Sequence, residues 1–131
     1  MADEITVTIS ASLTNGAIKR TRNPGSISIT QNSKGAHLST WLVGLTAEDW
    51  APSDFGSNGG LVFLRNALEE DPSNPTGHGY VKYGPSDSGT QRDIGRIYPG
   101  ETACFRLAPG VTLRATAVGQ IVPLDVIAFK D

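Results

Sequence analysis

The residues best equipped for chemistry in this 131-residue chain are one cysteine, two histidines and a scatter of carboxylates. Cys104, His37 and His78 are all the cysteine and histidine the sequence holds. A structural zinc site takes four Cys or His ligands, so three well-separated ones predict no metal centre. A single cysteine leaves no intrachain disulfide and no C-x-x-C redox pair. A hydrolase triad needs a nucleophile, a histidine and an acid in register. The residue types are present, but there is no G-x-S-x-G elbow. His37, after Lys34-Gly35-Ala36, and His78, between Gly77 and Gly79, sit in turn-like contexts and read as exposed loop histidines. Cys104, within Ala103-Cys104-Phe105-Arg106-Leu107, reads as a small, inert strand residue.

The acids give no better constellation. Glu69-Glu70-Asp71 offers the oxygens calcium prefers, but without the alternating ligand spacing and helical flanks of an EF-hand. It reads as a solvated loop, as do Glu48-Asp49 and Asp87. Glycoside hydrolysis needs two carboxylates about 5–10 Å apart across a cleft, and nothing in the sequence pairs them. Gly56-Ser57-Asn58-Gly59-Gly60 lacks the Lys-Ser/Thr ending of a phosphate-binding loop and precedes a strand, not a helix. No catalytic residue, metal or cofactor is therefore expected, and the chain reads as a non-enzyme.

The aromatic residues are more informative. Trp41 lies inside an apolar strand and is assigned to the core. Trp50 and Phe55 flank a polar loop, where a large ring is either folded back onto the fold or used at a contact, since aromatics are enriched in interface hot spots. Tyr98, just before a Pro-Gly turn, shares that ambiguity. Trp50, Phe55 and Tyr98 are thus the candidate interface contacts.

Charge and hydropathy narrow the partners. The formal net charge is −2, with 11 Lys and Arg spread along the chain. A phosphate backbone calls for clustered cations, so direct nucleic-acid binding is not expected. No run of about 18 apolar residues spans a bilayer. The start, Met1-Ala2-Asp3-Glu4, is acidic and lacks the apolar segment of a secretory signal, which predicts a protein kept in the cytoplasm or assembled there into something larger.

Any contact residues must be held by strands. The chain has 15 Gly and 8 Pro, and its charged fraction of 18% is low, so its polarity comes from Ser, Thr, Asn and Gly. Ile5, Val7, Ile9, Ala11 and Leu13 alternate with Thr6, Thr8, Ser10 and Ser12, the period of a half-buried strand. Asn15-Gly16 is a hairpin dipeptide, and Ala17 to Arg22 is the expected return strand. Asn23-Pro24-Gly25-Ser26, Tyr98-Pro99-Gly100-Glu101 and Ala108-Pro109-Gly110-Val111 all carry type II turn chemistry. Further strands are expected at Ser26 to Gln31, Leu61 to Asn66, Tyr80 to Tyr83, Asp93 to Tyr98, Thr102 to Leu107 and Val111 to Val118. His37 to Leu45 is read as a more fully buried strand. Gln120 to Lys130 is read as covered on both sides, with Pro123 marking an edge or bulge. Thr46-Ala47-Glu48-Asp49 is the one candidate helix start, with Thr46 as N-cap. Loops are expected at Ala51 to Gly60, Ala67 to Gly79 and Gly84 to Gln91. The result is an all-β chain, residues 1–131 forming one antiparallel β-sandwich of about nine or ten short strands, with the jelly roll as one of its forms.

The order of these segments resembles a family of small virion proteins from tailed bacteriophages, the capsid decoration or cement proteins. The likeness runs from Thr6-Val7-Thr8-Ile9-Ser10 and Leu13-Thr14-Asn15-Gly16 through Asn23-Pro24-Gly25-Ser26-Ile27-Ser28-Ile29-Thr30-Gln31. It continues in Leu61-Val62-Phe63-Leu64-Arg65-Asn66, answered by Tyr80-Val81-Lys82-Tyr83-Gly84. It ends in Pro99-Gly100-Glu101 and Phe105-Arg106-Leu107-Ala108-Pro109. The Ala67 to Gly79 loop is longer than the family pattern. The resemblance implies a β-sandwich on the outer surface of the capsid, a homotrimer bound to the major capsid protein and locking neighbouring capsomers, with no catalytic residues. A tail, baseplate or fibre-associated subunit, and a carbohydrate-binding module using Trp50, Phe55 or Tyr98 as stacking platform, are the competing readings.

Overall fold

The computed structural model describes Ile5–Asn15, Ile18–Ile29, 36–52, 55, 59–70, 73 and 79–130. The readings made for His78, for the acidic residue at 71 and for 56–58 lie outside these residues. Among the described residues there is no helix and there are eleven strands. The chain divides into two compact units, Met1–Asn32 and Ser33–Asp131.

The first unit is an antiparallel hairpin of β1 (Ile5–Asn15) and β2 (Ile18–Ile29), paired from Ile5↔Ile29 to Asn15↔Ile18. The expected turn at Asn23-Pro24-Gly25 is not a turn, because β2 runs straight through it. The register steps from Ile9↔Gly25 to Ala11↔Arg22, two residues on β1 against three on β2. The extra residue makes a bulge, and a bulge is where a strand tolerates a proline that cannot donate to the ladder.

The second unit is a sandwich built from β3 (Ala36–Val43), β4 (Glu48–Trp50), β5 (Gly60–Asn66), β6 (Tyr80–Asp87), β7 (Thr90–Gln91), β8 (Gly95–Ile97), β9 (Thr102–Leu107), β10 (Leu113–Val118) and β11 (Val122–Lys130). One sheet has the order β3-β11-β5-β9; the other runs β4-β10-β6 with β8 beyond β6. The two-residue β7 only extends the β6 hairpin. Counting the other eight strands in chain order, the sheets read first-eighth-third-sixth and second-seventh-fourth-fifth. Every connection except β6 to β8 crosses from one sheet to the other. That is the connectivity of a jelly roll, so the antiparallel β-sandwich expected from the sequence is the fold.

Alternation explains the core. Val122, Leu124, Val126 and Ala128 of β11 are buried, as are Val62 and Leu64 of β5, facing Leu113, Ala115 and Ala117 of β10, Val81 and Ile97. The Pro-Gly turns at 98–101 and 108–111 form as expected. Glu101 N donates to Tyr98 O at 3.0 Å and Val111 N to Ala108 O at 3.2 Å, with Gly100 and Gly110 at φ of 79° and 77°, the left-handed conformation that a type II turn reserves for glycine.

Four expectations are corrected. Thr46-Ala47-Glu48-Asp49 starts no helix; Glu48–Trp50 is β4, held against β10 by Leu113↔Trp50, Arg114↔Asp49 and Ala115↔Glu48. Gly84 to Gln91 is not a loop, because β6 continues to Asp87 and turns into β7. His37 to Leu45 is not fully buried, since β3 is the edge strand of its sheet and Leu38 and Leu42 face outward. Pro123 lies in β11, which is central between β3 and β5. Its carbonyl accepts from Ala67 N at 2.9 Å, one step past the last β5 partner, so its missing donor falls where that ladder ends.

Candidate functional site

Trp50 and Phe55, placed by the sequence either in the fold or at a contact, are folded back into it, with only 7% and 2% of their surface exposed. Trp50 closes β4 and packs at a tilt against Phe55, 4.9 Å between ring centroids. His37, expected in a loop, stands on β3 and meets Trp50 edge-on at 5.7 Å, with its Nε2 2.7 Å from Ser39 Oγ. Tyr98 is half-buried and packs at a tilt against Tyr80 at 5.3 Å, while the Arg96 guanidinium lies 5.4 Å over the Tyr80 ring. A hydrogen bond to Tyr98, then the nearby Tyr80 and Tyr98 hydroxyls, push the Arg96 pKa further up. Tyr98 is thus apart from Trp50 and Phe55 in its partners, and the three do not form one platform. Among the described residues no three His, Cys, Asp or Glu gather as a metal site.

The outer face of the β3-β11-β5-β9 sheet alternates apolar rows with a polar one, Thr40, Asp125, Arg65 and Thr102. Cross-strand register places Leu38, Ile127, Phe63 and Cys104 in one row, and Ala36, Phe129, Leu61 and Arg106 in the next. Directly paired residues share a face, and this face is the one opposite the core. Leu38 is 70% exposed, Leu42 64% and Ile127 40%; Phe63 and Phe129 pack edge to face at 6.2 Å. Leu45, just past β3, and Ile121, just before β11, are exposed at the end where Val43 pairs with Val122. The expectation that Gln120 to Lys130 is covered on both sides is therefore met on the inner face only. Cys104 is a strand residue as expected, lying on this outer face; the sheet surface around it desolvates the thiol and raises its pKa.

At the β9 side lies an apolar cleft of about 260 Å³, lined by Pro85, Ile94, Phe105, Leu107, Val111 and Leu113 together with Arg106 and Ala108. Its rim residue Ile94 is 65% exposed. Two glycines hold that rim in place. A side chain on Gly84 would collide with the Arg92 carbonyl, and the close approach lets Arg92 N and Ile94 N donate to Pro85 O and Tyr83 O, each at 2.9 Å. A side chain on Gly95 would come within 2.7 Å of the Tyr83 hydroxyl. Tyr83 stacks flat on Phe105 at 5.6 Å, and burial raises its pKa.

The outer face of the other sheet is polar and internally paired. Arg114 Nε lies 2.8 Å from Asp49 Oδ1, out of line for a hydrogen bond, so that contact is an ion pair. The rest of its guanidinium donates to the carbonyls of Ala47, at 3.1 Å, and Gly89. Lys82 pairs with Asp93 at 3.4 Å and Arg92 with Asp87 at 3.0 Å. Gln91 Oε1 accepts from Thr116 at 2.8 Å, and its amide donates to Asp93 at 2.6 Å.

Sequence reading also passed over Asn66, the one buried polar side chain among the described residues. Its amide donates to Gly79 O at 2.7 Å and Ile97 O at 3.2 Å, and its Oδ1 accepts from Leu68 N at 3.0 Å. Its backbone pairs with Glu101 O and Gly100 N. It therefore ties the end of β5 to β8 and to the Pro99-Gly100 turn. No pattern around Asn66 announces this, because each partner is set by the tertiary fold. No known protein family matches the chain, and no curated protein or solved structure is significantly similar to it.

Proposed function

We propose that this chain is a decoration, or cement, subunit of a tailed-bacteriophage head. In this reading it is a non-enzymatic virion protein on the outer capsid surface that binds the major capsid protein as a homotrimer, without cofactor, and secures contacts between capsomers. The observation that carries the reading is the unequal dressing of the jelly roll: one outer face is polar and internally paired, whereas the β3–β11 edge of the other leaves Leu38, Leu42 and Ile127 exposed. A subunit that adds to an assembly needs a stiff scaffold presenting such a surface, and jelly rolls recur in viral capsid domains. A ligand that binds the assembled shell and not its free parts stabilises that shell by mass action.

A tail, baseplate or fibre-associated subunit uses the same features and differs in copy number. The carbohydrate-binding alternative relies on an aromatic platform; Trp50 and Phe55, buried in the core, have little surface to offer one. The experiment is quantitative mass spectrometry of purified particles against the major capsid protein. A ratio near one, or one trimer per few capsomers, supports the cement role. A few copies per particle moves the chain to the tail. Absence from particles removes the virion reading.

A further inference from the structure

Among the described residues β9 is an edge of its sheet, laddered to β5 on one side only. An edge strand presents a row of backbone donors and acceptors to whatever lies beside it. Which groups turn that way follows from the ladder. Asn66 N donates to Glu101 O at 3.0 Å, so residue 101 turns its backbone to β5. Direction alternates along an antiparallel strand. Ala103, Phe105 and Leu107 therefore turn to β5 as well, and the backbones of Thr102, Cys104 and Arg106 turn to the edge. The Leu107 carbonyl agrees, since it lies against Gly59 at the start of β5. The apolar cleft of about 260 Å³ adjoins the same strand. Phe105 and Leu107 line it from the inner face of β9. Arg106, on the outer face, lines it too, so the hollow reaches the margin of the strand. We infer that β9 accepts an extended peptide segment of a partner protein as an added antiparallel strand, with alternate apolar side chains seated in the cleft.

The edge and the cleft together specify the segment. Directly opposed residues of an antiparallel pair share a face. The partner residues opposite Phe105 and Leu107 thus turn into the cleft, two positions apart. A cavity of about 150 Å³ holds one benzene, so about 260 Å³ takes two branched aliphatic side chains. Covering the exposed Ile94 at the rim adds to their burial. The residue between them stands opposite Arg106 on the outer face, where an opposite charge is the favoured cross-strand neighbour. A guanidinium carries five donors, enough to serve an added carboxylate beside other partners. The recognised pattern is apolar–acidic–apolar in an extended chain. Main-chain bonds supply affinity and the pocket supplies selectivity, as in other strand additions. A small apolar molecule fills the hollow and leaves the edge in water, whereas a strand uses both. The site is formed in advance, because the close approach at Gly84 fixes the Ile94 rim.

The test titrates the full, isotope-labelled chain with the synthetic peptide acetyl-Ser-Ile-Glu-Ile-Thr-Ser-Thr-Lys-amide and reads NMR spectra. Saturating shifts at the Ile94 and Val111 methyl groups are expected below about 1 mM, with slowed hydrogen exchange at the Thr102 and Cys104 amides. The same peptide N-methylated at its Glu and its first Thr keeps every side chain and loses bonds to β9. It should bind at least about tenfold more weakly. Ile94→Ser changes a residue 65% exposed, so the variant should keep its circular dichroism spectrum and also lose about tenfold in affinity. No shift up to about 1 mM overturns the inference. So does equal binding of the methylated peptide, or methyl shifts without protection at Thr102 and Cys104, since either assigns the cleft to a small apolar ligand. Protection of those amides that rises with protein concentration, without peptide, assigns the edge to a second copy and overturns the choice of occupant. None of these readouts involves particles, so a failure here and a failure of the cement reading are distinguishable.

Discussion

The two outer faces of this sandwich are built on the same backbone plan and treated in opposite ways. On the β4-β10-β6-β8 sheet, Lys82, Arg92 and Arg114 each find a carboxylate, and Gln91 and Thr116 complete the surface. On the β3-β11-β5-β9 sheet, Leu38, Ile127, Phe63 and Phe129 lie beside a polar row of Thr40, Asp125, Arg65 and Thr102. A polar face satisfies itself at small net gain, since exposed ion pairs contribute about 0–1 kcal/mol. An apolar face keeps its gain for a later event, because each Leu or Ile side chain fully removed from water is worth about 1.5–3 kcal/mol. The difference teaches that two sheets sharing one core can present unlike outer faces to solvent.

The strand β11 gives the sharpest comparison, because it carries both kinds of residue in alternation. Leu124→Ala, on its buried face, should destabilise the sandwich by about 3–4 kcal/mol through lost burial and a cavity. Ile127→Ala, three residues on and facing outward, should cost the fold under about 1 kcal/mol. Urea unfolding of both variants at low concentration reads the contrast, and equal losses would erase the distinction between the faces.

Asn66→Ala comes next. It leaves Gly79 O, Ile97 O and Leu68 N without their side-chain partner, and unmet buried groups cost about 1–3 kcal/mol each before relaxation. A loss of about 2–3 kcal/mol in chemical denaturation is expected. Asn66→Asp should not restore it, because a carboxylate cannot donate to the two carbonyls.

Gly84→Ala should cost about 1–3 kcal/mol by overpacking, since the new methyl meets the Arg92 carbonyl. It also displaces Ile94 from the cleft rim, so hydrogen exchange at the Ile94 and Arg92 amides should quicken. Asp49→Asn sits at the small end of the scale. It removes one ion pair on the polar face and should shift stability by under about 1 kcal/mol, an effect that shrinks further in molar salt.

Alkaline titration gives the last comparison. The Tyr83 and Cys104 pKa values are raised by burial, so both groups hold their protons longer folded than unfolded. Their contribution is complete below the unfolded-state pKa values, about 10 and about 8.5 for free side chains, and fades as pH rises through the higher folded values. Unfolding midpoints should fall there, and alkylation of Cys104 should run slower in the folded chain than in urea at the same pH.

Local chemistry was legible in the sequence, and long-range pairing was not. Thr102 to Leu107 was read with the bounds of β9, and the turns at 98–101 and 108–111 form as read, because proline and glycine fix those geometries by themselves. Asn23-Pro24-Gly25 carries the same signal but pairs with β1, and the ladder absorbs the proline as a bulge. Glu48 and Asp49 suit a helix start, yet Glu48 Oε1 accepts from Gly44 N at 2.6 Å and Asp49 meets Arg114 from a distant strand. His37 to Leu45 and Gln120 to Lys130 were read as more fully covered than they are, because a sequence does not say which strand is an edge. Trp50 and Phe55 looked like surface candidates because their neighbours are polar, whereas in space their neighbours are each other and His37.

The order first-eighth-third-sixth has a consequence in time. β3 has a single neighbour in its sheet, β11, with Ala36 opposite Phe129, so the first strand of the sandwich waits for the last to be made. The β1–β2 hairpin pairs with itself, whereas β3 has no partner in its sheet until β11 has been made. Contacts of such high sequence separation place refolding in the millisecond-to-second range of non-local β proteins. Until β11 arrives, the unmatched edge of β3 with its exposed leucines is a nucleus for mispairing between neighbouring chains on the same message, which makes translation pace a determinant of yield.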